Sequence, residues 1–548
     1  MSTEYSEPLK LVARQEVISG AINALTADRN QATLCRRSYV REVRDELISR
    51  GSYDAYAAED LKDETIDRWE AFYDSITQNR DAASLKVAYL CGPNPQNDLR
   101  VFCAAGILPE NIWAFESDAT LHNQAVESAL GSEFPFIKVI KGGIDIFLEA
   151  SPMRFDIIYL DFCGPMPSRN KKQKTLLAVT RVLARHALNS PGALITNVSL
   201  PTEAGDASGR ALLAKLVACY LYPKEFLEGD GDNTPEGPIA QGIEFDEWLA
   251  IVTGDLENYY GQFVTRLLMD HASFISPYNR FPKKNRIYSN FFKPLSRKES
   301  AALAASAFHF QDDGPGTGGD VIIDAGQYPV LWAFATLDKK TNSKDENYPQ
   351  WVNSDPDFSS LAETFLSQLR IDGNKDDLIA DSCEMTFSML GGSSQEKYLS
   401  EPLYEAVRDY DFREYYQFCD LMLEHQIVEL LFRQIAFPYH VNVEMTRRWR
   451  YQAKDTPMFM DLTILDECRY LYDWMPTTEM VSAGFSDPER QLAYRFVLDG
   501  VSKHRRWYNT EYFHGTAIID QFTEPFEAKV LKLRVQLGAN ELDQAGGA

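Results

Sequence analysis

Between about Leu85 and Leu200 the chain alternates five short apolar runs, LKVAYL, NIWAFE, FIKVI, FDIIYLD and GALITNV, with turn residues and helical stretches. Runs this short and this rich in β-branched and aromatic residues suit strands buried on both faces. Their alternation with helices predicts right-handed βαβ crossovers. An α/β fold built on a doubly wound, mainly parallel sheet is therefore expected, and ligands of such sheets bind at the carboxyl ends of the strands.

The flanks read as helical. From Leu9 to about Arg80 apolar residues recur at three- and four-residue intervals among many charges, which predicts a helical N-terminal region over 1–84. Glu244 to His271 has the same rhythm, and Phe412 to Phe432 is the clearest amphipathic stretch. Turn-rich breaks at Gln311–Asp320 and Asp338–Asp357 then divide the 548 residues, too many for one core. The expected units are the helical region 1–84, the α/β domain 85–300, and a mostly helical 301–548 for substrate or partner binding. Two further strand expectations are Tyr278–Pro294, as the last strands of the sheet, and Val321–Leu337.

With 80 acidic against 55 basic residues the formal net charge is -25, which opposes indiscriminate binding to phosphate backbones, so a nucleic acid must meet a local patch. Two clusters fit that need: Arg447, Arg448, Trp449 and Arg450 in MTRRWRYQAK, and Arg505, Arg506 and Trp507 in KHRRWYNTEYFH. Arginine beside tryptophan and tyrosine grips phosphates and stacks bases. The same pattern also suits arginine stems laid over core aromatics. RNA or DNA is thus one expected partner; a partner protein or a second copy of the chain is the other. The eight cysteines are scattered without zinc-ligand spacing, so free thiols and no metal are expected. No apolar run approaches the ~20 residues that span a bilayer, and the N-terminus lacks a secretion-signal pattern. The expectation is a cytoplasmic protein without membrane contact.

Chemistry concentrates at the ends of the apolar runs. KVAYLCGPNPQNDLRVFCAAGI (Lys86–Ile107) ends its strand at Gly92, a residue whose missing Cβ permits an unusual φ and a close ligand approach. The second run ends in Glu116, the third leads into Asp145 and Ile146, and the fourth ends in Asp161-Phe162-Cys163-Gly164-Pro165. This series resembles the class I S-adenosylmethionine-dependent methyltransferases, a Rossmann-like family, over about residues 85–200. The resemblance implies S-adenosylmethionine as cofactor. In it Gly92 forms the cofactor turn, and Asn94 and Asp98 face the methionine moiety. Glu116 takes the ribose hydroxyls, while Asp145 and Ile146 hold and pack the adenine.

The resemblance also places Asp161 and Phe162 where amino-group methyltransferases carry D/N-P-P-Y/F, with Asp161 accepting a hydrogen bond from the target amine and Phe162 stacking on a base. It implies methyl transfer to a nucleic-acid base amine. The chain departs from the family pattern in keeping only one glycine of the cofactor turn, and in Phe162 and Cys163 replacing the two prolines. Several alternatives stay open. Asp145 and Asp161 also suit helix caps, Cys163 suits a nucleophile of carbon methylation, and Asp118 is a substitute for Glu116. A non-catalytic scaffold that keeps the fold would show the same strands. A dinucleotide dehydrogenase is disfavoured by the absence of G-x-G-x-x-G.

Overall fold

All five apolar runs are strands: β1 (Val87–Leu90), β2 (Ile112–Glu116), β3 (Lys138–Lys141), β4 (Phe155–Asp161) and β5 (Leu188–Ser199). A computed structural model of the protein describes residues 7–33, 36–50, 55–77, 80–162, 164–168, 174–222, 245–280, 289, 293–296, 298–299, 329–342, 349, 351–390, 400–408, 439–467 and 531–538. Three strands from far down the chain complete the sheet: β6 (His440–Ala453), β7 (Thr456–Asp466) and β8 (Val535–Gln536). The order is β3-β2-β1-β4-β5-β7-β6-β8. β7 runs antiparallel to both of its neighbours, and the other pairs are parallel. From β1 the chain winds outward to β3 and then returns to β4 on the other side, so the order reverses between β1 and β4, where ligand crevices of open sheets form.

The N-terminal helices are α1 (Pro8–Leu25), α2 (Arg29–Ala32), α3 (Tyr39–Arg50), α4 (Ala55–Asp60) and α5 (Asp63–Ile76). Between strands come α6 (Gln96–Ala104), α7 (Ala119–Leu130), α8 (Ile144–Ala150) and α9 (Thr175–Ala184); β5 is followed by α10 (Glu203–Leu221), α11 (Phe245–Gly254), α12 (Leu256–Asp270) and α13 (Ser276–Arg280). The pleat sends alternate side chains to opposite faces. Val87, Tyr89, Ile157, Tyr159, Ile195 and Leu462 pack with Val17, Ile18 and Ala21 of α1 and Leu99 and Phe102 of α6. Ala88, Ile158, Leu160, Leu194 and Val198 pack on the other face with α9, α10 and α12. α1 is therefore a layer of the sheet itself. Its Gly20 rides so close to β7 that a Cβ there would meet Leu462 Cδ2 at 3.2 Å.

Two strand expectations are corrected. Tyr278 is buried in α13, and the closing strands come instead from β6 and β7, joined by the two-residue turn Lys454-Asp455. Pro329–Leu337 is a helix with Val330, Ala333, Phe334, Ala335 and Leu337 all buried. A helix enclosed on every side has no polar face to reveal its period, and that is why its sequence resembles a strand. The rest of those two segments lies outside the described residues save a few positions, and Phe412–Phe432 lies outside them entirely. The C-terminal half supplies helices Pro356–Gln368, Lys375–Leu390 and Glu401–Arg408 together with the β6-β7 hairpin. Among the described residues no helix is long and apolar enough to cross a membrane.

The helical layer on the α12 side holds a buried ion pair. Arg266 Nε donates to both oxygens of Asp270 at 2.9 and 2.7 Å, and the Tyr220 hydroxyl of α10 donates to Asp270 at 2.7 Å. Removing one partner of such a pair leaves an uncompensated buried charge, at a cost of about 3–5 kcal/mol. Asp270→Ala should therefore lower the thermal unfolding midpoint markedly. An unchanged midpoint would show that the pair does not hold α10 to α12.

Candidate active site at the carboxyl edge of β1 and β4

The turn after β1 is shaped by backbone conformation. Gly92 has φ +56°, and a Cβ built there meets nothing within 4 Å, so the turn borders open space. The Tyr89 hydroxyl pins the loop by donating to the Pro95 carbonyl at 2.7 Å. Asp98 follows in the first turn of α6 and is only 4% exposed. Asn94 faces elsewhere: its Oδ1 lies 3.4 Å from the Ser128 hydroxyl of α7.

Glu116 sits half-buried at the end of β2, where its Oε1 accepts from the Asp118 N–H at 2.8 Å. Asp118 itself is the cap of α7, accepting from the N–H groups of Thr120 and Leu121, and this leaves Glu116 as the strand-end acid. Asp145 is not a cap. It lies in the first turn of α8, paired with Arg181 Nη1 of α9 at 2.6 Å, while its neighbour Ile146 is 60% exposed.

Asp161 closes β4 and is held from two sides. Lys10 Nζ of α1 lies 2.7 Å from Oδ2, and Asn197 Nδ2 of β5 donates to Oδ1 at 2.8 Å. Asn197 Nδ2 also lies 2.9 Å from the Tyr451 hydroxyl of β6. Phe162 is buried in the core with Met166 and Leu200, its N–H donating to the Asn197 carbonyl at 2.9 Å. The expectation that its ring is presented to a base is therefore corrected: the apolar layer under the turn claims it. Cys163 lies outside the described residues.

One turn along α1, Arg14 Nε lies 2.5 Å from Asp98 Oδ1. Burial pushes the Asp98 carboxyl up to about 6 while Arg14 pulls it the other way. Burial pulls Lys10 down most strongly of any single influence, but the charge of Asp161, its hydrogen bond and the charge of Asp98 together outweigh it and Lys10 is raised. Burial also pushes the Cys91 thiol up to about 12, with the charges of Glu116 and Asp98 adding to the effect, so this thiol is no nucleophile. The sequence reading missed Lys10 and Arg14. Their spacing of four on a predicted helix, which puts both cations on one face, is the signal that pointed to them.

The first basic cluster lies in β6 and is turned inward. Arg448 and Trp449 are buried, Arg448 Nη2 donates to the Lys532 carbonyl at 2.8 Å, and Arg450 pairs with Glu257 of α12. Arg447 donates to the Thr446 carbonyl at 2.9 Å. Burial beside Arg534 lowers Arg448 to about 10. Neither is an open phosphate grip: Arg448 is buried against the Lys532 carbonyl, and only Arg450, over the Phe459 ring, is an arginine stem laid on a core aromatic. Arg505, Arg506 and Trp507 lie outside the described residues. Among the described residues no cluster of three or more His, Cys, Asp or Glu is placed to hold a metal ion. No protein-family model matches the chain, and no curated protein matches it.

Asp98 gives this site a pH signature. Its ordinary value is 3.8 and its folded value about 6, so across that window the folded chain keeps a proton that the unfolded chain has released. Stability then falls as pH rises from about 4 to 6, by on the order of 2–3 kcal/mol for this group. Asp98→Asn should remove that share. Thermal unfolding of wild type and variant across this range should show the difference in midpoint shifting with pH; a constant difference would mean that Asp98 does not titrate there.

Proposed function

We propose that the protein is an S-adenosylmethionine-dependent methyltransferase built on a Rossmann-like sheet, with an amine as acceptor. A nucleic-acid base amine is the acceptor its resemblance implies. The observation that carries the reading is the left-handed Gly92 turn, open where a Cβ would stand, one βα unit before the half-buried Glu116. Such a turn admits a ligand to the backbone, and a strand-end carboxylate suits a ribose diol by charge-assisted hydrogen bonds.

When bound, the cofactor supplies a methyl group on a sulfonium, already a good leaving group, so the chain's own task is positioning. Asp161 is the group for this: a carboxylate at the end of β4, with Asn197 fixing Oδ1 and Tyr451 next to Asn197. Lys10 holds the other oxygen, and an amine that uses Oδ2 must share it with Lys10 or displace it. That contact, with Phe162 in the core, favours a second reading, a non-catalytic scaffold that keeps the fold. In either reading a partner nucleic acid must be met by surfaces other than the inward arginines of β6.

Isothermal titration with S-adenosylmethionine and S-adenosylhomocysteine tests the first reading. Saturable binding is expected, and Glu116→Ala should lose about 2–3 kcal/mol of it, the scale of a lost charged hydrogen-bond partner. The absence of saturable binding at millimolar ligand would end the methyltransferase reading. Asp161→Ala should abolish transfer of labelled methyl to RNA or DNA with cofactor affinity nearly unchanged. Wild type that binds cofactor but methylates neither would leave the scaffold.

A further inference from the structure

Asp161 already holds an amine. Lys10 Nζ lies 2.7 Å from its Oδ2, the oxygen left over once Asn197 has taken Oδ1, and this is the position in which an acceptor amine would be held. The ammonium reaches it from the start of α1, whose inner face is locked into the core through Ala13, Val17 and Ile18. The contact is close but not sealed, because the Lys10 side chain keeps 20% of its surface exposed. Of the two cations that α1 turns to the crevice, only one can become a nucleophile. The Arg14 guanidinium stays charged at any working pH, whereas a lysine ammonium that loses a proton is a free primary amine.

We propose that Lys10 is itself a methyl acceptor, so that the chain methylates its own Nζ at the end of β4. The inference rests on the cofactor reading above and adds to it a modification site and a second acceptor class, the primary alkylamine, beside the base amine. The step is a displacement. Lys10 first gives a proton to solvent. Its lone pair then forms the N–C bond as the S–C bond breaks, and the bonding pair stays on sulfur. The products are S-adenosylhomocysteine and a methylammonium on Lys10. Burial and the charge of Arg14 push the first proton off, while Asp161 of β4 and Asp98 of α6 hold it on. A sulfonium brought beside Nζ is a further like charge that favours release. Monomethylated Lys10 keeps its charge and an N–H for Asp161, so the seat of α1 survives the reaction.

Two measurements on the full chain test it. The chain is incubated with S-adenosylmethionine at about pH 9, where more of a lysine is neutral, and its peptides are mapped by mass spectrometry. One added methyl is expected on Lys10 and none on exposed lysines such as Lys86 and Lys454, to an extent independent of protein concentration. Asp161→Asn should slow the modification on the order of a hundredfold, the scale of a misplaced nucleophile. Calorimetry at neutral pH reads the placement without turnover. Beside the Lys10 ammonium, the sulfonium of S-adenosylmethionine should bind more weakly than the neutral thioether of S-adenosylhomocysteine. Lys10→Met should shift the ratio of the two affinities toward S-adenosylmethionine by about tenfold or more, and Lys10→Arg should leave it unmoved. Cofactor binding with Lys10 unmodified, methyl groups spread over surface lysines, or an unmoved ratio in Lys10→Met would each overturn the inference and leave the cofactor reading standing. Failure of both ligands to bind would remove both. The wild-type mapping decides even if Lys10→Met does not fold.

Discussion

The pairing of β5 with β7 is the constraint on which the rest depends. It runs unbroken from Gly192 opposite Leu465 to Ser199 opposite Met458, and joins the strands read directly from the sequence to a hairpin far along the chain. Without it β5 would be an edge, and an unpaired strand edge invites association with other chains. With it, α1 has a surface to lie on, since the helix packs against β5, β6 and β7 together. The position of Lys10 and Arg14 over the crevice follows from that seat. The acidic ends of β4 and α6 and the basic face of α1 meet only because the sheet beneath is continuous.

The same seam explains the inward arginines. β7 carries Asp461 on the face toward α12, completely buried, where it accepts from Thr265 Oγ1 and Arg534 Nη1, each at 2.6 Å. Arg534 Nη2 also donates to the Gly261 carbonyl at 2.9 Å. Arg450 lies with its guanidinium 5.9 Å from the Phe459 ring. Charged side chains thus share the space between α12 and strands β6–β8 with the Tyr260 and Phe459 rings. A carboxylate enclosed there requires cations from the neighbouring strands.

Legibility from sequence followed burial. β1 to β5 were readable because each is a short apolar run between turns, and the ends of β1, β2 and β4 then located Gly92, Glu116 and Asp161. β6 was not, because MTRRWRYQAK hides a strand behind its arginines: Trp449 and Tyr451 alternate as strand residues should, but Arg448 and Arg450, alternating with them, imitate an exposed face. The apolar Pro329–Leu337 erred the other way, a helix too enclosed to show its period. At the site, single side chains were less legible than positions. Asn94, Asp145 and Phe162 stand where their motifs put them, yet Ser128, Arg181 and the core respectively engage them. Partners brought from other elements cannot be read from a local motif.

The late arrival of β7 has a consequence during synthesis. A ribosome releases β5 long before the segment that covers its open side. At about 5–20 residues per second, the roughly 260 residues between them take on the order of ten to fifty seconds. Through that interval β5 has β4 on one side, and its other edge presents backbone groups without their native partner. Until the hairpin emerges, that open edge is the part of the nascent chain most exposed to pairing with other chains.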